Sequence, residues 1–370
     1  MRKITALIAF FALCLSAYAA VDYNNTNLRN KISQMIIIGF DGTKLEKNSA
    51  LYDDLANERI SGVILFSNSP KDSKSIKNVK NPKQLKKLIS DIKAASKSKL
   101  FISIDEEGGK ISRLPQERGF RAQTLSHKEL GDKNDEMTTY LEAKKIAMTL
   151  KDLGINLNFA PCVDLALNPN SDVIFKAERS FSDDPQKVIK HANAYILAHN
   201  QYGILTALKH FPGHGSASGD SHLGFVDATN TFSSKELEPY QALISSGAAQ
   251  NVMVSHVFNK KIDDKYPATL SYKTINGILK GKLGFSGLII TDDMQMKAIT
   301  DNYTFEQAVI NAINAGCDIL VFGNNLEYGG KDLAQKFNNT VFNAVKDGKI
   351  SPERIDEAYY KISTVKARLN

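Results

Sequence analysis

Residues 204–215 read ILTALKHFPGHG. The stretch is an apolar run of strand length that ends in Lys209 and His210, and Pro212 closes it because proline lacks the N–H that a strand ladder needs. Its apolar residues are continuous rather than alternating, which is typical of a parallel strand that is buried on both faces. The stretch therefore indicates an α/β fold in which helices cover a parallel sheet.

Seven further runs of this kind recur along the chain. They are mostly apolar and of strand length: Met35–Phe40, Gly62–Phe66, Leu100–Asp105, Asn156–Val163, Val252–Val257, Leu288–Asp292 and Asp318–Phe322. With Ile204–His210 they make eight, the number of parallel strands that closes a barrel of ~250 residues plus insertions. We therefore predict an α/β fold, a single-domain (β/α)8 TIM-type barrel. A doubly wound open sheet is the alternative, but no G-x-G-x-x-G motif follows the first strand.

The segments between these runs carry signals for the start of helices. Asn81-Pro82, Asp184-Pro185 and Ser351-Pro352 each place a capping residue before a proline at the first helical position. Ser233–Glu236 and Thr304–Gln307 fit the pattern of a capping box. Strands and helices therefore alternate along the chain, as the barrel requires.

The first twenty residues differ from the rest. Arg2 and Lys3 precede an apolar run at 4–15, and residues 16–19 read SAYA, a small-residue cleavage site. This is the pattern of a secretory signal peptide, and the apolar run is shorter than the ~20 residues that a membrane span needs. We predict a signal peptide at 1–19, a barrel domain at 20–370, and an exported protein that is periplasmic or secreted.

Charge and cysteine content exclude some classes of protein. The chain has 47 basic and 40 acidic residues, a net charge of +7, and loss of Arg2 and Lys3 leaves 45 minus 40, or +5. This mild excess comes with no nucleic-acid-binding motif, so we expect no nucleic-acid partner. Cys162 and Cys317 lie in or beside apolar runs, and we expect both to be free core residues rather than a disulfide.

Polar residues end five of the eight predicted strands. They are Asp105-Glu106-Glu107, Asp164, Lys209-His210, His256 and Asp292-Asp293. Barrels of this kind carry their chemistry at the carboxyl ends of the strands, and a carboxylate at the end of an apolar strand is costly to bury without a function. One aspartate of the Asp292-Asp293 pair is expected to cap the following helix while the other faces the substrate.

The loop after the fifth strand carries an acid/base pair. Its small residues are followed by Asp220 and His222, two positions apart. A carboxylate beside an imidazole fixes the tautomer of the ring and raises its pKa, which suits proton transfer near neutral pH. A metal site formed by His210, His214, Asp220 and His222 is the competing interpretation. Pro212-Gly213 disfavours it, because these residues prevent the helix that would put His210 and His214 on one face.

Several segments together resemble one enzyme family. The loop KHFPGHGSASGDSH at 209–222 resembles the K-H-F-P-G-H-G-x4-D-[ST]-H signature of the β-N-acetylhexosaminidases of glycoside hydrolase family three. Further segments resemble that family in order, from about residue 28 to about residue 363: IDEEGGK (104–110), NFAPCVD (158–164), RSF (179–181), PATLS (267–271) and TDDM (291–294). Lys110, Met294 and Asp227 stand where the family usually has arginine, leucine and proline.

The resemblance implies an activity and a set of roles. It implies an exo-acting retaining β-N-acetylglucosaminidase that trims peptidoglycan fragments and acts as a monomer, without metal or organic cofactor. By the same resemblance, Asp292 is the nucleophile that forms a glycosyl-enzyme, and His222, oriented by Asp220, is the acid/base. The residues implied to hold the sugar hydroxyls and the N-acetyl group are Asp105, Arg179, Lys209 and His210.

Three alternatives stay open at this stage. One is a metal-dependent barrel hydrolase that cleaves amides or esters through the histidine cluster. Another is a peptidoglycan-binding protein without turnover, against which the presence of Asp292, Asp220 and His222 argues. The third concerns the acceptor: a neutral histidine base repels anions less than a carboxylate does, so phosphate could compete with water at the glycosyl-enzyme.

Overall fold

The computed structural model describes residues 25–69, 72–121, 123–325 and 332–369. The predicted signal peptide at 1–19 lies outside the described residues. Within the described part of the chain, no helix combines the length and the apolar character that crossing a membrane requires.

Eight parallel strands form a closed barrel, as predicted. In chain order they are β1 (Ile36–Gly39), β2 (Gly62–Leu65), β3 (Phe101–Ile104), β4 (Leu157–Asn158), β5 (Leu205–Phe211), β6 (Asn251–Val254), β7 (Leu288–Asp293) and β8 (Ile319–Phe322). Each strand pairs with its neighbours in sequence, and β8 pairs with β1 to close the ring. The continuous apolar runs of the sequence therefore correspond to the strands of the barrel.

The strand β4 is much shorter than the run Asn156–Val163 that predicts it. Its regular pairing ends at Asn158, and one further bridge joins Cys162 to Lys209 of β5. Pro161 lies between these points and has no N–H to contribute to the ladder. The rest of the run after β4 therefore crosses the rim of the barrel as an irregular segment and places Asp164 beside β5.

Helices cover the outside of the barrel. Those that follow the strands are Ala50–Ala56, Pro82–Ala95, Glu136–Leu153, Pro185–Gln201, Glu238–Ser245, Lys273–Lys282 (wound as a π-helix), Phe305–Ala315, Leu333–Lys346 and Pro352–Ala367. Asn81, Asp184 and Ser351 cap their helices through side-chain oxygens, as predicted. Thr304 and Gln307 form the predicted capping box.

The capping box predicted at Ser233–Glu236 is wrong in its second half. Ser233 accepts a hydrogen bond from the backbone N–H of Lys235 at a short 3-10 turn. The carboxylate of Glu236 instead points inward and accepts from Gly215 N at 2.8 Å and Ser216 Oγ at 2.5 Å. The side chain therefore supports the loop after β5 rather than its own helix.

The core is a large cluster of buried apolar side chains that fills the barrel and the space between strands and helices. Strand ends approach one another closely at the carboxyl rim: a Cβ added to Gly39 would lie 1.9 Å from the carbonyl oxygen of Gly323. Glycine is needed there because any side chain would push the β1 and β8 ends apart. The loops after the strands are thus gathered around one opening.

Candidate active site

A cavity of about 330 Å³ opens at the carboxyl rim of the barrel. All seven residues that the sequence analysis selected for catalysis or sugar binding line it: Asp105, Arg179, Lys209, His210, Asp220, His222 and Asp292. They come from the ends of β3, β5 and β7, from the loop after β4 and from the loop after β5. The strand order brings these distant segments together, since parallel strands present their carboxyl ends at one face.

The two aspartates at the end of β7 have different surroundings. Asp293 Oδ1 accepts from the backbone N–H groups of Gln295 and Gly323, each at 3.0 Å, so this carboxylate holds the turn and the neighbouring strand. Asp292 Oδ1 accepts from Asp293 N at 2.8 Å. Asp292 thus keeps its second carboxylate oxygen for the cavity.

The electrostatics of the pair follow these surroundings. Burial by itself would raise the pKa of Asp292, but the nearby imidazoles of His256, His210 and His222 outweigh it and lower the pKa to about 2. Burial raises the pKa of Asp293 to about 6, because its backbone hydrogen bonds compensate only in part. Asp292 is therefore the more acidic of the two and is fully ionised at neutral pH, as a nucleophile must be.

Asp220 and His222 form a hydrogen-bonded pair within the loop after β5. Asp220 Oδ1 accepts from His222 Nδ1 at 2.8 Å and from His222 N at 2.9 Å. The hydrogen bond to Asp220 raises the pKa of His222, against the effect of burial and with help from the charge of Asp292. The Nε2 edge of His222 is left for proton transfer, and its side chain is 63% exposed.

Lys209 links two carboxylates at the base of the cavity. Its Nζ lies 2.7 Å from Asp105 Oδ1 and 2.8 Å from Glu107 Oε1, and its side chain is buried. Arg179 approaches Glu107 from the other side and donates from Nε at 3.0 Å and Nη2 at 2.7 Å. These charge-assisted hydrogen bonds fix the positions of the polar groups that line the pocket.

His210 is held in one orientation by two neighbours. Its Nδ1 lies 2.6 Å from Asp164 Oδ2, and Arg179 Nη2 lies 3.1 Å from its Nε2. A neutral ring with its proton on Nδ1 satisfies both contacts, since Arg179 can only donate. Asp164 also accepts from His214 N at 2.8 Å and lies beneath the cavity wall. Asp164 is therefore a support for His210.

The structure also brings residues to the cavity that the sequence analysis did not select. Arg113 lines it, with Nη2 3.9 Å from Asp105 Oδ2, and its buried Nε has no hydrogen-bond partner. Asp172 and Asn325 line it as well. The signal for Arg113 was a cation eight residues after Asp105, but one residue type at one spacing carries too little information to separate it from a surface arginine.

Some of the strand-end residues lie behind the cavity rather than in it, His256 and Glu106 among them. His256 is fully buried, with Nδ1 2.8 Å from Thr269 Oγ1 and Nε2 2.9 Å from the carbonyl oxygen of Asp293. Glu106 is buried and accepts from the backbone of Arg113 at 2.7 Å. A strand alternates its side chains between faces, so only some of the polar residues at a strand end reach the opening.

The histidine cluster does not assemble as the metal interpretation requires. Among the described residues, the group whose ligand atoms lie within 4.8 Å of one another is Cys162, Asp164 and His210, all buried. Asp220 and His222 are not part of it. Cys162 is free, as is Cys317, and burial raises the pKa of the Cys162 thiol, which opposes the thiolate that a metal would need.

The arrangement as a whole places an ionised carboxylate, a hydrogen-bonded carboxylate–imidazole pair and a set of polar groups around one cavity. Comparison with known proteins identifies the family of the chain. The family described as "Glycosyl hydrolase family 3 N terminal domain" matches residues 27–365. The Beta-hexosaminidase of Tolumonas auensis is 34% identical over 277 residues, which cover 73% of this chain and 78% of that protein.

Two further relatives are longer than this chain. Beta-hexosaminidase A of Pseudoalteromonas piscicida is 31% identical over 332 residues, 84% of this chain but 54% of that protein. The solved structure of a glycoside hydrolase family 3 β-N-acetylglucosaminidase from Paenibacillus sp. superposes with a TM-score of 0.82 at 28% identity and covers 92% of this chain and 62% of that one. The chain therefore spans about half to two thirds of these proteins. The match over nearly all of the described barrel shows that the chain belongs to glycoside hydrolase family 3.

Proposed function

We propose that the protein is an exo-acting retaining β-N-acetylglucosaminidase that removes terminal non-reducing N-acetylglucosamine from peptidoglycan fragments. The observation that carries this proposal is the convergence of Asp292 and the Asp220–His222 pair on one cavity. Retaining cleavage needs a nucleophile on one side of the scissile bond and a proton donor on the other. Family membership and the names of the relatives support the choice of sugar.

In the proposed first step, Asp292 attacks the anomeric carbon while His222 gives its proton to the leaving oxygen. The lowered pKa of Asp292 keeps the nucleophile ionised. The raised pKa of His222 keeps a larger fraction of the imidazole protonated near neutral pH. In the second step the now neutral His222 removes a proton from water, which attacks the glycosyl-enzyme and frees Asp292.

The polar base of the cavity suits a single neutral sugar. Asp105 and Lys209 present an acceptor and a donor for hydroxyl groups, and Arg179 and His210 lie together at the adjoining wall. Such groups orient a sugar by directed hydrogen bonds rather than by area alone. At about 330 Å³ the cavity is at the small end of ligand pockets, which favours one terminal residue over an internal position in a polymer.

Peptidoglycan fragments are proposed as the substrate because of the predicted export and the bacterial relatives. An exported enzyme meets cell-wall turnover material in the periplasm or outside the cell. The proposal requires no metal or organic cofactor. Product analysis in phosphate buffer decides between water and phosphate as the acceptor, since phosphorolysis would yield the sugar phosphate instead of free N-acetylglucosamine.

The first test is the rate on 4-nitrophenyl N-acetyl-β-glucosaminide for the chain from residue 20 onward, with and without chelator. We expect turnover that is insensitive to chelator. We also expect the β-anomer of the product to be released first, which NMR can detect. Asp292→Ala should lose roughly 10³-fold or more, and His222→Ala roughly 10²–10⁴-fold on a substrate that needs a proton donor.

Asp227→Ala is the matched control. Asp227 is an exposed carboxylate on the same loop, five residues after His222, and accepts from Thr229 N at 2.8 Å. Its activity should stay close to that of the wild type. A folded wild type that binds the saccharide without turnover would support the binding protein instead, and loss of activity with chelator would support the metal-dependent hydrolase.

A further inference from the structure

We propose that Glu106 is a positioning residue that holds Arg113 in the sugar pocket, and that ionisation of Glu106 sets how tightly the pocket binds sugar. The inference rests on the proposed function, because it takes Arg113 to contact the saccharide. Glu106 itself does not line the cavity and touches no substrate.

The backbone of Glu106 is fixed to the barrel. Its N–H donates to Asn158 Oδ1 at 3.0 Å, and its carbonyl oxygen accepts from Asn158 Nδ2 at 2.8 Å and Tyr195 Oη at 2.9 Å. Asn158 ends β4, and Tyr195 lies on the helix Pro185–Gln201. The starting point of the Glu106 side chain is therefore as rigid as the barrel core.

The carboxylate of Glu106 in turn organises the segment that carries Arg113. Its Oε2 accepts from Arg113 N at 2.7 Å. Ser112 and the backbone N–H of Leu114 also contribute hydrogen bonds that favour its charged form. Every one of these partners donates, so the ionised carboxylate, which only accepts, fits them better than the protonated acid.

Arg113 is placed to bind a neutral ligand from this segment. Its guanidinium lies in the cavity 3.9 Å from Asp105, at the long end of an ion pair, and its Nε is buried without a hydrogen-bond partner. A buried donor without a partner costs free energy until an acceptor arrives. A sugar hydroxyl or acetamide oxygen beside Asp105 would supply that acceptor.

The surroundings of Glu106 determine the pKa of its carboxyl group. The charged or titratable groups that face it from the packed elements are Glu107, Arg113, Arg121, Lys145 and Tyr195. Arg121 and Lys145 are already paired with Asp152 and Glu142, at 2.9 and 2.5 Å. Burial therefore dominates, and it raises the pKa of Glu106 to about 7 although the hydrogen bonds work against it.

The direction of the effect follows from these contacts. Below the pKa of Glu106 the side chain is neutral and holds the Arg113 segment weakly. Above it the anion accepts the surrounding N–H and O–H groups strongly, so a larger fraction of molecules has Arg113 seated for binding, and the apparent affinity rises with that fraction. The pocket should bind sugar more tightly as pH rises through about 7.

The test compares the wild type with Glu106→Gln between pH 5.5 and 8.5. Glutamine has nearly the same shape but stays neutral. We expect the wild-type KM to fall with rising pH and the Glu106→Gln KM to stay near its low-pH level. The ratio should be roughly fivefold at pH 8.5, the difference between a hydrogen bond to a charged acceptor and one to a neutral acceptor, and close to one at pH 5.5. The value of kcat should be little changed.

Glu117→Gln is the matched control, since Glu117 is an exposed carboxylate in the same segment, four residues after Arg113. A double-mutant cycle with Arg113→Met separates positioning from general stability: in the Arg113→Met background, Glu106→Gln should add no further change in KM. An undiminished fivefold effect in that background, or a wild-type KM without the pH dependence, overturns the inference.

Calorimetric titration with N-acetylglucosamine at pH 5.5 and 8.5 provides a readout that does not depend on turnover. The dissociation constants should follow the same pattern as KM. Wild-type turnover with identical pH profiles in both proteins would reject the role of Glu106 and leave the proposed function intact. Absence of both binding and turnover in the wild type would reject the proposed function and this inference with it.

Discussion

Asp293 Oδ1 accepts a hydrogen bond from Gly323 N at 3.0 Å, which joins the end of β7 to the end of β8. The bond lies one residue from Asp292, so it sets where the proposed nucleophile points. Asp293→Asn retains an accepting oxygen for this contact, and we expect kcat to fall by less than about tenfold. Asp292→Asn should be nearly inactive. Equal losses in the two variants, measured on the aryl glycoside, would assign Asp293 a part in the chemistry.

Glu236 supports the loop that carries the proposed acid/base. Its carboxylate holds Gly215 N and Ser216 Oγ, and a Cβ on Gly213 would clash with it at 2.5 Å. Glu236→Ala leaves these donors unsatisfied, so we expect a loss of about 1–3 kcal/mol in the free energy of unfolding together with lower kcat. Urea unfolding measures the first. Glu238→Ala, an exposed neighbour, should change neither.

Glu236 should also make the free energy of unfolding depend on pH in a definite direction. Burial raises the pKa of Glu236 from 4.5 to about 7. A carboxyl with a raised folded-state pKa stabilises the fold most below its unfolded value, and this contribution is lost as pH rises through the folded value. Glu236→Gln stays neutral, so its stability relative to the wild type should increase between pH 4.5 and 7. A flat difference in unfolding free energy over this range would contradict the expectation.

Glu107 lies between two buried cations and should be needed for stability. It accepts from Arg179 and contacts Lys209 at 2.8 Å. Glu107→Gln leaves Arg179 without its carboxylate and Lys209 with Asp105 alone, and breaking a buried ion pair costs about 3–5 kcal/mol. Glu178→Gln removes a half-buried partner of the exposed Lys110 instead and should cost under about 1 kcal/mol. Chemical unfolding compares them, and similar losses would refute the argument.

Buried histidines predict how the free energy of unfolding falls at acid pH. His199 is fully buried, with Nδ1 3.0 Å from Tyr195 O, and burial lowers its pKa from 6.5 to about 4. The unfolded chain therefore takes up a proton first, and stability falls as pH drops from 6.5 toward 4. His199→Gln should reduce that slope in unfolding measurements made at several pH values. His222 has a raised pKa instead, so His222→Gln should alter the pH dependence above 6.5 and leave the slope between 6.5 and 4 unaltered.

The role of His222 can be separated from that of Asp292 by the leaving group. An acid helps most when the departing oxygen is a poor leaving group. His222→Ala should therefore lose much more activity on a disaccharide of N-acetylglucosamine than on the 4-nitrophenyl glycoside, whereas Asp292→Ala should lose activity on both. Equal losses of His222→Ala on the two substrates, compared by kcat/KM, would exclude proton donation.

The barrel could be predicted from the sequence because its strands are continuous apolar runs. Each of the eight runs overlaps an observed strand, although β5, β6 and β7 each extend one residue beyond their run. The larger error, at β4, arises where Pro161 interrupts pairing. The runs repeat a single physical requirement, burial on both faces, and this requirement is visible without knowledge of the neighbours.

The directions in which individual side chains point were harder to predict from the sequence. Glu236 matches the spacing of a capping box, yet its carboxylate serves a loop twenty residues away in sequence. Arg113 and Glu106 act through a turn whose shape depends on Asn158 and Tyr195. Such contacts depend on which segments the closed barrel brings together, and local pattern does not encode that.

The pairing of Asp220 with His222 is local in sequence, with two hydrogen bonds inside three residues. The proposed acid/base therefore has its hydrogen-bond partner on its own loop. A catalytic carboxylic acid on a rigid strand keeps a raised pKa only while burial excludes solvent from it. That effect is lost whenever the site opens. Here the largest contribution to the proton affinity of His222 comes from Asp220 on the same loop, so departure of product and entry of the next substrate leave that contribution in place.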